Sequence, residues 1–228
     1  MSGFFHGPAF AIVITLLLYV ASLRLQRRYP WANPLMTATV ALILLLYMMH
    51  ISYAQYRVGG NAFAYLLGPA TVALGVPMYK QGKKLKGSLG RLLAVVVVGS
   101  IVGMVSAGLV AWMCGASHQV VLSTLPKSVT TPIAIQLSTE MHGDPAITAA
   151  MVLITGLLGS LVGPTVLRMS NILHDHAIGA AMGTSSHALG TATLIQRSEV
   201  QGSVSSMAMA MAGVVTSIFA MLVTRYWQ

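Results

Sequence analysis

One lysine of this sequence lies in a stretch where its ammonium group is suited to bind an anion. Lys127 lies between Pro126 and Pro132, and every other lysine lies between residues 80 and 86. A charged group within an apolar stretch is costly to bury and is retained mainly for function. An ammonium among hydroxyl groups is suited to a carboxylate. A small organic anion is therefore predicted to bind here, at Lys127, Ser128, Thr130 and Thr131. The alternative is a lysine that extends from a helix end to an interface.

Two other apolar stretches are broken by glycine, proline and small polar residues. The first, residues 67–79, contributes the predicted binding residues Gly68, Pro69, Ala70, Thr71 and Gly75. The second contributes Gly183, Thr184, Ser185, Ser186, His187, Gly190 and Thr191. A helix interrupted at such a place presents free backbone N–H groups at its new N-terminus, and these attract an anion. His187 is predicted to contact the substrate or relay a proton, and the alternative is a packed, hydrogen-bonded histidine.

The sequence shows no pattern that indicates catalysis. Serine, histidine and aspartate are present, but no spacing joins them as a triad, and no nucleophile elbow, phosphate loop or zinc signature appears. The single cysteine, Cys114, excludes an intramolecular disulfide and a cysteine-based metal site. We therefore predict that the protein is not an enzyme and uses no cofactor or metal.

The elements that position these residues are predicted to be membrane-spanning helices. Hydrophobic residues make up 56% of the 228-residue chain and charged residues 7%, against about 25% charged residues in a soluble domain. Apolar runs long enough to cross a bilayer cover residues 5–23, 33–52, 90–113, 146–167 and 204–226, and interrupted stretches cover 62–79, 118–140 and 177–195. The net charge of +9 comes mainly from short basic groups beside these runs, which argues against nucleic-acid binding.

An internal repeat is indicated when the chain is compared with itself at a shift of 115 residues. Eight identities occur in fifty positions. Seven of them follow the pattern G-x4-A-L-G-x5-Q-x5-G-S, which begins at Gly68 in one copy and at Gly183 in the other, and the eighth pairs Trp112 with Trp227. We predict one integral membrane domain made of two repeats, residues 1–114 and 115–228. The fold class is thus an all-α polytopic membrane protein with interrupted helices.

The distribution of charge predicts that the two repeats are inverted across the membrane. The basic loops 24–28 and 80–91 correspond to the non-basic loops 139–143 and 195–206 of the second repeat. Inverted repeats are a hallmark of secondary transporters. Inversion requires that segment 118–140 fails to cross fully, as a re-entrant segment or a pair of half-helices. The N-terminus is then outside and the C-terminus inside; the competing topology has eight full crossings and both termini outside.

The position of the C-terminus separates these two topologies. Alkaline phosphatase fused after Gln228 is active only when it is exported. Seven crossings predict an inactive fusion, whereas an active fusion would refute the inside C-terminus. Enzyme activity in cells that express the fusion is the measurement, with the fusion quantified by immunoblot.

Three motifs resemble the LrgB/CidB family of bacterial membrane proteins, which includes the YohK-type proteins. They are L-G-P-A-T-V-A-L-G-V-P-M-Y at 67–79, L-P-K-S-V-T-T-P-I-A at 125–134 and G-T-S-S-H-A-L-G-T-A at 183–192. The resemblance covers essentially the whole chain. It implies a holin/antiholin-like modulator of murein hydrolase activity and cell lysis, or a relative of the plastid translocator that exports glycolate and imports glycerate. It also implies a small LrgA/CidA-type membrane partner and a location in the inner membrane of a bacterium, where the predicted N-terminus is periplasmic and the C-terminus cytoplasmic.

Residues and resemblance together favour a secondary transporter for small organic anions. Its expected substrates are 2-hydroxy and 2-oxo monocarboxylates such as glycolate, glycerate, pyruvate and lactate, and a homo-oligomer, a dimer, is expected. The alternative is the holin/antiholin-like membrane protein. No acidic residue lies at the centre of a predicted segment, so coupling through a buried carboxylate is not expected.

Overall fold

A computed structural model describes residues 8–29, 32, 34–73, 79, 87 and 89–226 of the chain. Within these residues the secondary structure is helical, and no strand occurs. The helices are α1 (Pro8–Arg28), α2 (Pro34–Met48), α3 (Tyr53–Ala73), α4 (Leu89–Met113), α5 (His118–Thr124), α6 (Thr131–Glu140), α7 (Pro145–Met169), α8 (Asp175–Ile195) and α9 (Glu199–Tyr226).

Four of these helices, α1, α4, α7 and α9, are long and apolar enough to cross a bilayer, and α2 contains a shorter apolar stretch, Met36–Met48. Large aliphatic side chains cover their outer faces. On α4, for example, Val98, Val102 and Val105 are each about 60% exposed. Water would disfavour such a surface, whereas lipid tails accept it. The predicted fold class, an all-α membrane protein, is confirmed; the inversion of its repeats stays a prediction.

The chain divides into two compact units, residues 1–70 and 71–228. In the first unit, α1 and α3 approach closely because Gly59 has no side chain. A Cβ at Gly59 would lie 2.8 Å from the Ala11 Cβ and closer still to the Pro8 carbonyl oxygen. The Thr15 and Tyr56 hydroxyls then meet at 2.8 Å across the same pair of helices.

The second unit is held together most tightly where α8 packs against α9. Glycines allow this approach: a Cβ at Gly179 would lie 2.7 Å from the Gln201 carbonyl oxygen, and one at Gly183 would collide with the Ser205 carbonyl. Small residues at such crossings are typical of helix pairs in membranes. The Thr191 and Ser205 hydroxyls share a hydrogen bond of 2.8 Å in this interface.

Helix α4 packs on α9 through an apolar cluster formed by Val96, Ala208, Ala212 and Val215. A second cluster continues along α4 at Met104 and brings in α5 and α6 through Leu122, Leu125, Leu137 and Met141. These two clusters leave Ser100, one turn from each of Val96 and Met104, as the polar member of the buried face of α4.

Helix interruptions occur in the second unit where the sequence predicts them. Segment 118–140 is a pair of short helices, α5 of 7 residues and α6 of 10, separated by residues 125–130. Neither is long enough to cross a bilayer, which takes about 20 residues. In α8 the break falls at His187, whose backbone angles are φ 39° and ψ −135°. The prediction of half-helices in 118–140 is confirmed.

The first motif differs from its predicted form. Helix α3 begins at Tyr53 rather than near residue 62, and it continues through Pro69 to Ala73. Gly75 lies outside the described residues. Because neighbouring groups in a membrane helix re-satisfy the backbone, a proline such as Pro69 does not by itself end the helix.

The two units are defined by their internal packing, and their boundary after residue 70 differs from the predicted repeat boundary at residue 114. The order of helices nevertheless agrees with a duplication, because a shift of 115 residues overlays α3 on α8 and α4 on α9. The repeat boundaries stay a prediction.

Candidate functional site

The candidate site is built around residues 125–130, the loop between α5 and α6. Pro126 lies directly after the end of α5, and Pro132 lies in the first turn of α6, where a missing N–H does no harm. Between them the chain turns with weak backbone bonds, Lys127 N to the Thr124 carbonyl and Val129 N to the Pro126 carbonyl, both 3.3 Å. Thr130 precedes α6 as its N-cap residue, yet its side chain does not cap the helix.

A buried, hydrogen-bonded cluster of hydroxyl groups joins the two short helices to α7. The Thr148 hydroxyl lies 2.6 Å from the Ser138 hydroxyl of α6 and 2.9 Å from the Ser123 carbonyl of α5. The Ser123 hydroxyl accepts a bond of 2.7 Å from the Asp144 backbone N–H at the start of α7. Because all three hydroxyl residues are fully buried, the loop between α5 and α6 is held in place from both sides.

Lys127 is half-buried in this loop, and its Nζ donates to the Ser128 hydroxyl at 3.2 Å. The four acidic residues of the chain all lie in its described part, and none of them pairs with this lysine there. Asp144 instead caps α7, Asp175 accepts from Gln201, and Glu140 accepts from Gln136. The ammonium of Lys127 therefore has a hydroxyl partner but no protein carboxylate.

Val152 of α7 contacts both this loop and the break in α8. The Val152 side chain is fully buried against Val129 of the loop and Ala134 of α6. Its carbonyl oxygen is bonded to the His187 Nε2 at 2.9 Å. A positive φ is strained for histidine. This hydrogen bond and the 96% burial of His187 hold the strained residue in place.

Glycines on α4 and α7 let the neighbouring helices approach the same polar residues. A Cβ at Gly99 would lie 3.1 Å from the Thr184 Cγ2, and one at Gly103 would lie 4.0 Å from the Ser128 Oγ. On α7, a Cβ at Gly156 would lie 2.5 Å from the His187 Cε1. The next glycine of α7, Gly159, stands directly against the Ser186 hydroxyl. These glycines pack, as small-residue spacing predicts, and the surface that they pack against is the candidate site.

The structure thus brings together two of the three predicted motifs. Ser128 and Thr184 both lie against α4, at Gly103 and Gly99, while Val129 of the loop and His187 both contact Val152. Thr131 begins α6 directly after the loop. Ser185 is exposed and bonds to the Ala181 carbonyl at 2.8 Å.

Three further predicted residues have packing partners on or beside the α8–α9 interface. Gly183 and Thr191 contact Ser205, and Gly190 lies against Ser186 and Met182. In the first motif, Gly68, Pro69 and Ala70 lie in the first unit and Thr71 lies in the last turn of α3. A binding role for these residues stays a prediction.

One polar residue of the site was not predicted from the sequence. Ser100 lies on the buried face of α4 between Gly99 and Gly103, and only 5% of it is exposed. A hydroxyl in the middle of a strongly apolar helix, beside two glycines, was the signal that would have indicated it.

An apolar cavity of about 390 Å³ lies apart from this chemistry, at the surface between α4 and α9. Among its lining residues are Val105, Leu109, Trp112 and Phe219, and it offers almost no polar surface. Such a groove suits a lipid chain rather than an anion. Within the described ranges, no three histidine, cysteine or acidic residues come together as metal ligands would.

Fold and site define an all-α membrane protein whose interrupted helices meet at a buried, positively charged polar site. The chain matches the LrgB-like family over residues 15–226, so it belongs to that family, as its motifs indicated.

Relatives are similar over nearly their whole length. The uncharacterized protein YxaC of Bacillus subtilis (strain 168) is 38% identical over 214 residues, 93% of each chain. YwbG of the same strain is 35% identical over 90% of this chain and 92% of its own. The antiholin-like protein LrgB of Bacillus mycoides (strain KBAB4) is 35% identical over 92% of this chain and 93% of its own. No solved structure matches.

These names bear on the two predicted functions. The name antiholin-like protein LrgB recurs in several strains of Bacillus cereus at the same 35% identity. The relatives therefore favour the holin/antiholin-like alternative over the prediction of an anion transporter.

Proposed function

We propose that this protein acts as an antiholin-like membrane protein that restrains murein hydrolase activity and cell lysis. The observation that carries this proposal is the 35% identity to antiholin-like LrgB proteins over 92% of the chain. The protein would act in the inner membrane of a bacterium, as a dimer and together with a small LrgA-type membrane protein. Its long apolar helices provide the membrane insertion that this role requires.

Deletion of the gene tests this function. Cells without the protein are expected to lyse severalfold faster after a detergent stimulus, because murein hydrolases are no longer restrained. Turbidity measured over time and zymograms of secreted hydrolases are the readouts, and expression of the wild-type chain from a plasmid is the control. Unchanged lysis in the deletion strain, with the protein shown to be present in the parent membrane, would contradict the antiholin-like function.

The geometry of the site favours a second function, the passage of small organic anions. Lys127 carries this proposal, because its half-buried ammonium has no carboxylate partner among the described residues. A charge removed from water without an opposite charge is costly, so an anion bound beside it would relieve that cost. A helix-packing role would require no charge at this place.

Two features of the backbone add to the attraction for an anion. Helix α6 begins at Thr131, four residues after Lys127, and its N-cap residue Thr130 makes no side-chain cap, so the N–H groups of Thr131 and Ile133 in the first turn have no capping side chain. The second half of α8 begins after the break at His187, which places another helix N-terminus on the Val152 junction. Anion sites between two half-helix N-termini are a recurring arrangement in transporters.

The expected substrates are 2-hydroxy and 2-oxo monocarboxylates such as glycolate, glycerate, pyruvate and lactate. Passage would occur by movement of one inverted repeat against the other, as exchange or as symport with a proton carried by the substrate or by His187. Coupling of transport to sodium or protons through a buried carboxylate is not expected, since the acidic residues of this chain lie at helix ends and caps.

Lys127→Met tests the anion site, because it removes the charge and keeps much of the side-chain volume. Uptake of labelled lactate into proteoliposomes in a counterflow assay is expected to fall by about 100-fold, the loss of charge-assisted hydrogen bonds. Arg168→Gln is the matched control: this cation is exposed in the last turn of α7, and its loss is expected to leave uptake unchanged.

Wild-type uptake by Lys127→Met would remove Lys127 from the site. Absence of lactate, glycolate, glycerate and pyruvate counterflow in the wild-type protein would contradict anion passage itself. The lysis assay is independent of both results, so the two functions are tested separately.

A further inference from the structure

Ser100 lies at the meeting point of the elements that form the site. Its neighbour Gly99 faces Thr184 of α8, and Gly103, one turn further along α4, faces Ser128 beside Lys127. Residues 99, 100 and 103 share one face of a helix with 3.6 residues per turn. Ser100 is therefore placed between the two polar motifs, with 95% of its surface buried.

The Ser100 hydroxyl has no hydrogen-bond partner in the part of the chain that the structure describes. Serine and threonine in helices usually bond back to the carbonyl four residues earlier. Three buried hydroxyls of α8 and α9 do so: Thr184 donates to the Ala180 carbonyl, Thr191 to the His187 carbonyl and Ser206 to the Gly202 carbonyl. Ser100 departs from this pattern.

One other buried side-chain hydroxyl shares this property within the described residues, and it belongs to Thr130. Thr130 lies three residues after Lys127, at the start of α6, and leaves that helix uncapped by its side chain. Two buried hydroxyls without hydrogen-bond partners lower the stability of the fold. Binding of a ligand that hydrogen-bonds to them would offset that cost.

We infer that Ser100, together with Thr130, binds the oxygen that the substrate carries beside its carboxylate, and so determines specificity. Lys127 then binds the carboxylate itself. A hydroxyl both donates and accepts, so Ser100 would donate to a 2-oxo group and accept from a 2-hydroxy group. This inference rests on the proposed passage of small organic anions and adds a selecting residue on α4.

Lactate and propionate test the inference, because these two monocarboxylates have the same carbon chain and differ in the 2-hydroxy group. In proteoliposomes the wild-type protein is expected to prefer lactate. Ser100→Ala is expected to lower the ratio of lactate to propionate uptake about tenfold, because about tenfold corresponds to the loss of one neutral hydrogen bond. Propionate uptake itself is expected to stay unchanged. Ser106→Ala, an exposed serine of the same helix that bonds to the Gly103 carbonyl, is expected to keep the ratio.

Thermal stability distinguishes a binding role from a structural one. Because the hydroxyl has no partner, Ser100→Ala is expected to melt at the same temperature as the wild type or higher in the absence of substrate. The increase in melting temperature caused by saturating lactate is expected to become smaller. Thr130→Val, which replaces the second hydroxyl by a methyl group of similar size, is expected to behave in the same way.

Three results would overturn the inference. The first is a wild-type lactate preference retained by both Ser100→Ala and Thr130→Val. The second is a Ser100→Ala protein that does not fold, since that would show a structural role for the hydroxyl. The third is a wild-type protein that transports neither acid; this result also refutes anion passage, whereas the first two leave it standing.

Discussion

Polar groups at membrane depth must find their partners inside the protein, and the second unit is arranged around this constraint. Residues 125–130 leave helical geometry between two prolines, and α8 does the same at His187. Val152 serves both interruptions, because its side chain packs on the loop and its carbonyl is bonded to the His187 ring. The cluster of hydroxyl groups at Thr148 holds α5 and α6 against α7. Among the described residues, the Lys127 ammonium has no carboxylate partner and two buried hydroxyls have no hydrogen-bond partner.

The membrane class and the pair of half-helices were predictable, because hydropathy and proline act locally. Pro126 and Pro132 lie six residues apart with Ser128, Thr130 and Thr131 between them, and this combination disfavours a continuous helix. The break in α8 was harder to locate, since His187 adopts its positive φ only because Val152 and Gly156 receive its ring. Ser100 was missed for a related reason: whether a serine is satisfied depends on its rotamer and its neighbours in space. The inversion of the repeats concerns side of insertion, which charge predicts and helix packing does not determine.

The relatives and the geometry point to different aspects of function. The LrgB relatives are named antiholin-like proteins, whereas the Lys127 ammonium, which has no carboxylate partner among the described residues, concerns binding of an anion. The two are compatible if control of lysis depends on the passage or binding of a small metabolite. A membrane protein without a ligand would not require a half-buried lysine close to the start of a helix.

The structure of the purified protein with saturating lactate, determined by electron cryomicroscopy, tests the central claim most directly. We predict that a carboxylate oxygen of lactate lies within about 3 Å of the Lys127 Nζ, the distance of a charge-assisted hydrogen bond. Lactate bound away from residues 125–130, or a Lys127 ammonium paired with a carboxylate of the protein, would contradict the claim.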